Sequence, residues 1–170
     1  SKRKRWAKYG WDLNGIDSLE RLIGDQFFAE AKQINTPESY NDFLQSHPNS
    51  PHAARALFVR DSIAFFSAVM ENTSASYQKF IDNYPESEYT EIAQDNYYEV
   101  QFNELTGDGS LASYLEFLQL NPNSPLRPAA EKKVFEIVTE ANTAEAFDIF
   151  IRTYPENSMV DSAWRQLYQS

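Results

Sequence analysis

The sequence predicts an all-α chain arranged as an array of stacked helical hairpins. Three observations carry that reading. Four segments, SYNDFLQSHPNSP, SYQKFIDNYPESE, SYLEFLQLNPNSP and AFDIFIRTYPENS, recur near positions 39, 76, 113 and 146, a self-similarity that marks a repeat architecture. Inside each copy an aromatic (Tyr40, Tyr77, Tyr114, Phe147), a Phe (Phe43, Phe80, Phe117, Phe150) and a Leu or Ile fall at i, i+3 and i+4, one apolar face of a helix. Helix-punctuating residues flank that face at the same offset in every copy, the prolines Pro48, Pro85, Pro122 and Pro155 giving periods of 37, 37 and 33.

At the N-terminal side, residues 1–15 read as a basic and aromatic arm in which Trp6, Tyr9 and Trp11 fold back as a cap. Asp17 and Glu20 form a capping-box-like start to a helix over 17–34 that ends with Phe28 in the repeat frame. The repeats then start near 36, 73, 110 and 143, where Thr36, Thr73, Ser110 and Thr143 are N-caps and Pro37 takes a first helical position. Each short helix of about 10 residues must stop before its Pro, which pushes the preceding residue out of the α region. Ser50, Ser87, Ser124 and Asn157 cap a second helix of about 15 to 20 residues, with Pro51 and Pro125 at its first position.

That longer helix carries Ala56, Ala93, Ala130 or Ala163 near its start and is closed by Phe65, Phe102 or Phe135. Ala56 and Phe65 are nine residues apart and so face opposite sides, which requires two flanking neighbours. Ala130 and Phe135 are four residues closer, about one turn, so the Phe moves by only ~40°. The last helix brings Trp164, Leu167 and Tyr168 onto one face, expected to be exposed, self-associated or covered by a further segment, since the chain reads as a fragment.

Composition bounds the function. Hydrophobic residues at 42% and aromatics at 15% exclude wholesale disorder. No stretch approaches the roughly 18 unbroken apolar residues of a membrane-spanning helix. Without cysteine there is no thiol nucleophile, disulfide framework or zinc-thiolate site. Lys2, Arg3, Lys4, Arg5 and Lys8 leave 10 basic against 25 acidic side chains over residues 9–170, and none is basic between Lys79 and Arg127. So acidic a surface argues against nucleic-acid binding; the basic start could meet phosphates, lipid headgroups or an acidic surface, or be a solubilising arm.

The segment FIDNYPESEYTEIA and the wider pattern aromatic-x-x-Phe-Leu/Ile-x-x-x-Pro-x-Ser/Asn resemble tetratricopeptide repeats over roughly residues 28–169. The wording is similar to the variety found in bacterial outer-membrane-assembly lipoproteins and TolA-binding periplasmic proteins. It departs in placing Phe43, Phe80, Phe117 and Phe150 where that family has a small Ala, and in having Phe58, Asp95 and Lys132 near its usual Gly. The resemblance implies a right-handed α-solenoid over residues 16–170, a non-enzymatic adaptor, and a periplasmic or outer-membrane-associated location, with the cytoplasm the other compartment. It also implies a concave face lined by the starts of the long helices: His52, Arg55 and Val59, then Tyr89, Ile92 and Asn96, then Leu126 and Lys133.

Other candidates follow from spacing. Glu88, Glu91, Asp95 and Glu99 form an acidic stripe within about 80° of one helix, suited to a basic partner segment or a cation through carboxylate oxygens, or simply a solvated face. His47 and His52 are five apart with no further ligands at helical spacing, so no metal site is expected. No spacing singles out a catalytic carboxylate pair, and GDG at 107–109 lacks the Lys of a phosphate loop. The expected function is a non-enzymatic scaffold for a protein or peptide partner, with no cofactor. The alternative is a structural spacer or oligomerisation module, or the helical accessory region of a larger protein.

Overall fold

The computed structural model describes residues 8–10 and 12–169, so Trp6, Trp11 and the basic residues 2–5 lie outside the described residues. Within them the secondary structure is entirely helical: α1 Leu13–Ile34, α2 Pro37–Ser46, α3 Ala53–Glu71, α4 Ser74–Asn83, α5 Thr90–Thr106, α6 Leu111–Leu120, α7 Arg127–Val138, α8 Ala144–Thr153 and α9 Val160–Leu167. They fall into two compact units. One runs through Glu71 and includes Lys79–Ala93; the other comprises Asn72–Gln78 and the chain from Gln94 onward.

The start of α1 corrects the sequence reading. The helix begins at Leu13 rather than at 17, because Asp12 adopts extended backbone and its Oδ1 accepts from the Asn14 N–H at 3.0 Å. Tyr9, assigned to the N-terminal cap, is exposed.

Each short helix is capped as expected. The hydroxyls of Thr36, Thr73, Ser110 and Thr143 accept from the backbone N–H three residues on, at 3.0–3.2 Å. In the first two copies the bond is reciprocated, the N–H of Thr36 donating to Ser39 Oγ and that of Thr73 to Ser76 Oγ, each at 3.2 Å. The residue before each cap is left-handed: Asn35 (φ 54°), Asn72 (47°), Gly109 (66°) and Asn142 (50°). Only Asn, Asp and Gly enter this region cheaply, so the column turns the chain from a long helix into the next short one. Asn35 and Asn72 also accept through Oδ1 from the phenols of Tyr40 and Tyr77, at 3.2 Å each.

The turn between the two helices of a copy also repeats bond for bond. The N–H groups of His47, Tyr84, Asn121 and Tyr154 donate to the carbonyls of Phe43, Phe80, Phe117 and Phe150 at 2.8–2.9 Å. Ser50, Ser87, Ser124 and Asn157 then accept through their side chains from the N–H two residues on, at 2.8–3.3 Å. Contrary to the expectation from sequence, these residues do not cap the long helix directly. That side-chain bond and a carbonyl bond from the third residue close an extra turn, so the helices begin at Ala53, Thr90, Arg127 and Val160. Pro51 and Pro125 therefore lie in turns, before the first helical residue.

In the first unit α2 packs on α1 and α3; in the second α6 packs on α7, α7 on α8, and α8 on α9. The apolar interior of both is made from the recurring columns. Phe43 and Phe80 are 3% exposed, Phe117 and Phe150 are 0%, and so are Ala56, Ala93, Ala130 and Ala163. Each Phe meets the Phe that closes the preceding long helix: Phe28–Phe43 at 5.4 Å, Phe65–Phe80 at 5.5 Å, Phe102–Phe117 at 5.0 Å and Phe135–Phe150 at 5.1 Å between ring centroids. Burying such a ring is worth about 3 kcal/mol, with edge-to-face contact adding roughly 1 kcal/mol. In α7 the Ala130–Phe135 spacing is four residues shorter than Ala56–Phe65 in α3, about one turn, and the Phe135–Phe150 contact is kept.

Candidate functional site

The residues just before α3 and α5 pack on side chains of the preceding long helix. His52 stacks on Phe28 (4.5 Å, 5°) and its Nε2 lies 2.8 Å from Asp25 Oδ1. One copy on, Tyr89 stacks on Phe65 (4.8 Å, 11°) and its hydroxyl bonds Ser62 Oγ at 3.1 Å. Asp25 and Ser62 occupy one column, three residues before the closing Phe, so an imidazole–carboxylate pair and a phenol–hydroxyl pair fill the same role. In the next copy Leu126 packs into the apolar cluster around Phe117 and Phe150.

The sequence-derived partner face is thereby divided. His52, Tyr89 and Leu126 are engaged in packing, and Val59 lies against the cluster of Tyr40, Phe43 and Ala56. Asn96 is half-buried, while Arg55, Ile92 and Lys133 are exposed. His52, Arg55, Val59, Tyr89 and Ile92 belong to the first unit and Asn96, Leu126 and Lys133 to the second. Lys133 Nζ is held 2.7 Å from Glu136 Oε2; this contact raises the lysine pKa and lowers that of Glu136.

Sequence reasoning missed a patch on α3. Phe58 and Phe66 are 42% and 58% exposed, and both flank Tyr89, with ring centroids at 6.4 and 6.3 Å. The Arg55 guanidinium lies 5.4 Å over the Phe58 ring, a cation–π contact. Met70, 86% exposed, extends the apolar surface of the same helix. The signal was present: α3 is apolar almost all round, more than one buried face requires.

The acidic stripe is exposed at all four positions, but Glu88 sits in the turn before α5 and only Glu91, Asp95 and Glu99 are helical. Among the described residues no three His, Asp or Glu side chains are grouped to hold a metal ion. His47 stacks with Phe43 and lies 4.7 Å from Phe27, its Nδ1 buried without a hydrogen-bond partner. In the GDG turn Asp108 Oδ1 accepts from the Ser110 N–H at 3.0 Å, which holds its carboxyl below the usual range.

Two clefts lie where the first half of a long helix faces the following turn. One, of about 570 Å³, runs between α1 (Asp17, Glu20, Arg21, Ile23, Gly24) and residues 46–51. A Cβ at Gly24 would stand 3.3 Å from Ser50 Oγ, a tight contact that a small shift of the serine side chain would relieve. The other, of about 410 Å³, runs between α5 and residues 120–124.

No family model matches the chain, and no curated protein does. At the last helix, Trp164 and Tyr168 are 40% and 82% exposed and stack at 5.8 Å, while Leu167 packs inward.

Proposed function

We propose that the chain is a tetratricopeptide-like right-handed α-solenoid acting as a non-enzymatic scaffold for a protein or peptide partner. The recurrence of the Phe–Phe contact in four copies, each with the same turn bonding, supports the stacked-hairpin reading. The observation that carries the binding reading is the patch of Phe58, Phe66 and Tyr89 beside Arg55, aromatic and arginine groups of the kind that dominate interface energetics. Arg55, Tyr89 and Ile92 come from the sequence-derived partner face, and a net charge of −10 favours a partner with basic flanks.

The bacterial-envelope setting rests on the resemblance alone. A spacer or oligomerisation role is the second reading, favoured by the exposed Trp164–Tyr168 stack on α9. Light scattering over a concentration series separates the two. Self-association abolished by Trp164→Glu favours the spacer; a monomer that captures a partner from native extract, and loses it on Phe58→Ser with Phe66→Ser, favours the scaffold.

A further inference from the structure

We propose that the cleft between α5 and the α6–α7 turn binds a neutral oligosaccharide. The cleft lies at the same place in the repeat as the α1 cleft, two periods of 37 further on, so Glu20 corresponds to Gln94, Ile23 to Tyr97, Gly24 to Tyr98 and His47 to Asn121. The backbone makes the cleft in both places; the side chains decide what enters it. Around α1 the walls carry Asp17, Glu20 and Arg21, whereas no side chain lining the α5 cleft is charged.

Its surroundings select for neutrality. Residues 80–126 contain no basic group, and exposed Glu91, Asp95 and Glu99 on the same helix repel an anion. A cationic ligand would find no carboxylate inside the cleft. What the cleft does offer is amides, Gln94, Gln101, Asn121 and Asn123, with the rings of Tyr97 and Tyr98.

The internal hydrogen bonds fix which atoms remain. Gln101 Nε2 donates to the Tyr97 hydroxyl oxygen at 2.7 Å, leaving the phenolic O–H to donate and Gln101 Oε1 to accept. Asn121 Nδ2 donates to the Phe117 carbonyl at 3.2 Å, leaving Oδ1 to accept. The Tyr97 O–H, the second N–H of each of these amides and their two oxygens are thus left to line the cleft, and a sugar hydroxyl, which both donates and accepts, answers either kind. The Tyr97 and Tyr98 rings, 5.5 Å apart and 67° to each other, are half-buried and suit the C–H face of a pyranose. A proline-rich peptide brings acceptors only and would leave the carboxamide oxygens unpaired. A peptide with apolar anchors finds no deep apolar pocket, since Leu120 is 61% exposed. A volume of about 410 Å³ falls within the range of small-molecule sites.

The test is an NMR titration of the isotope-labelled chain with cellotetraose, maltotetraose and chitotetraose, with trigalacturonate and a neutral Pro-Gln hexapeptide as comparison probes. The expected result is a saturable shift of the Gln94, Gln101 and Asn121 side-chain amides with at least one neutral tetrasaccharide and none with trigalacturonate. Tyr97→Phe and Gln101→Leu should each weaken it at least tenfold with a dispersed, folded spectrum, while Arg21→Ala in the α1 cleft leaves it unchanged. No saturable shift with any of the three, full affinity in both variants, or tighter binding of the hexapeptide would overturn the proposal.

Discussion

Phe102 meets Phe117 edge-on, ring centroids 5.0 Å apart and planes at 87°, and Phe135 meets Phe150 in the same way at 5.1 Å and 82°. The second contact survives the loss of four residues between the Ala and Phe columns of its long helix. Equal surroundings imply equal costs. Phe117→Ala and Phe150→Ala, both at 0% exposure, should each destabilise the chain by about 3–5 kcal/mol and agree within about 1 kcal/mol in urea unfolding. A much smaller loss at Phe150 would mean that the shortened copy is loosely packed.

The fourth short helix lacks half of its cap. Ser39 and Ser76 return a bond to the N–H of Thr36 and Thr73, but the equivalent residue on α8 is Ala146, which has no hydroxyl. Ala146 is 9% exposed, as is Ser39, so a serine fits there. Ala146→Ser should raise stability by roughly 0.5–1 kcal/mol, and amide exchange at Thr143 should slow.

These caps show how much was legible beforehand. The N-cap hydroxyls, the Phe contacts and the 10-residue short helices follow from spacing, because side-chain period and cap chemistry are local properties. The start of α1 after Asp12 did not, since Asp12 and Asp17 are equally good caps by type and it is Asp12 whose carboxylate accepts from the Asn14 N–H. The left-handed column Asn35, Asn72, Gly109 and Asn142 stood in the sequence unread, although Asn and Gly at one offset are a signature of positive φ. Of the partner face, spacing put His52 and Tyr89 at equivalent positions but could not show that both are spent on Phe28 and Phe65. Exposure at Phe58 and Phe66 depends on what the neighbouring helices leave uncovered, which is a tertiary property.

The His52–Asp25 and Tyr89–Ser62 pairs occupy one column, so they should be exchangeable. His52→Ala removes the ring from Phe28 and should cost about 1–3 kcal/mol. His52→Tyr combined with Asp25→Ser should recover most of that loss, whereas His52→Tyr alone leaves Asp25 without its cation-capable partner and should recover less. Thermal unfolding of the three variants measures the order.

The Lys133–Glu136 pair sets a pH dependence whose sign is fixed. Hydrogen bonding to Lys133 lowers the Glu136 pKa in the folded chain, so its contribution is present above the unfolded carboxylate value and is lost as pH falls through the folded one. Lys133, raised chiefly by the same bond, contributes below the unfolded lysine value and loses it as pH rises through the folded one. Both side chains are more than a third exposed, so the effect is small and salt weakens it. Lys133→Ala should raise the Glu136 carboxyl toward the ordinary range by NMR titration, with Lys132 still holding part of the lowering, and 0.5 M salt should shift the wild-type value the same way.

The aromatic patch on α3 makes a demand that stability alone does not. Phe58 and Phe66 are 42% and 58% exposed, so replacing either by Ser removes part of a half-covered ring and should cost about 1–3 kcal/mol in unfolding while the chain stays folded. If the patch is an interface centre, the same substitutions should weaken partner binding by 2 kcal/mol or more, about thirtyfold, because truncating a central aromatic also exposes the contacts around it to water. Arg55→Ala should act in the same direction through loss of the guanidinium over Phe58. Glu91→Lys, on the exposed acidic stripe, should instead slow association with a basic partner and flatten its salt dependence, leaving dissociation nearly unchanged. Surface plasmon resonance on the captured partner separates these effects, and a double variant Phe58→Ser, Phe66→Ser that binds at wild-type strength would remove α3 from the interface.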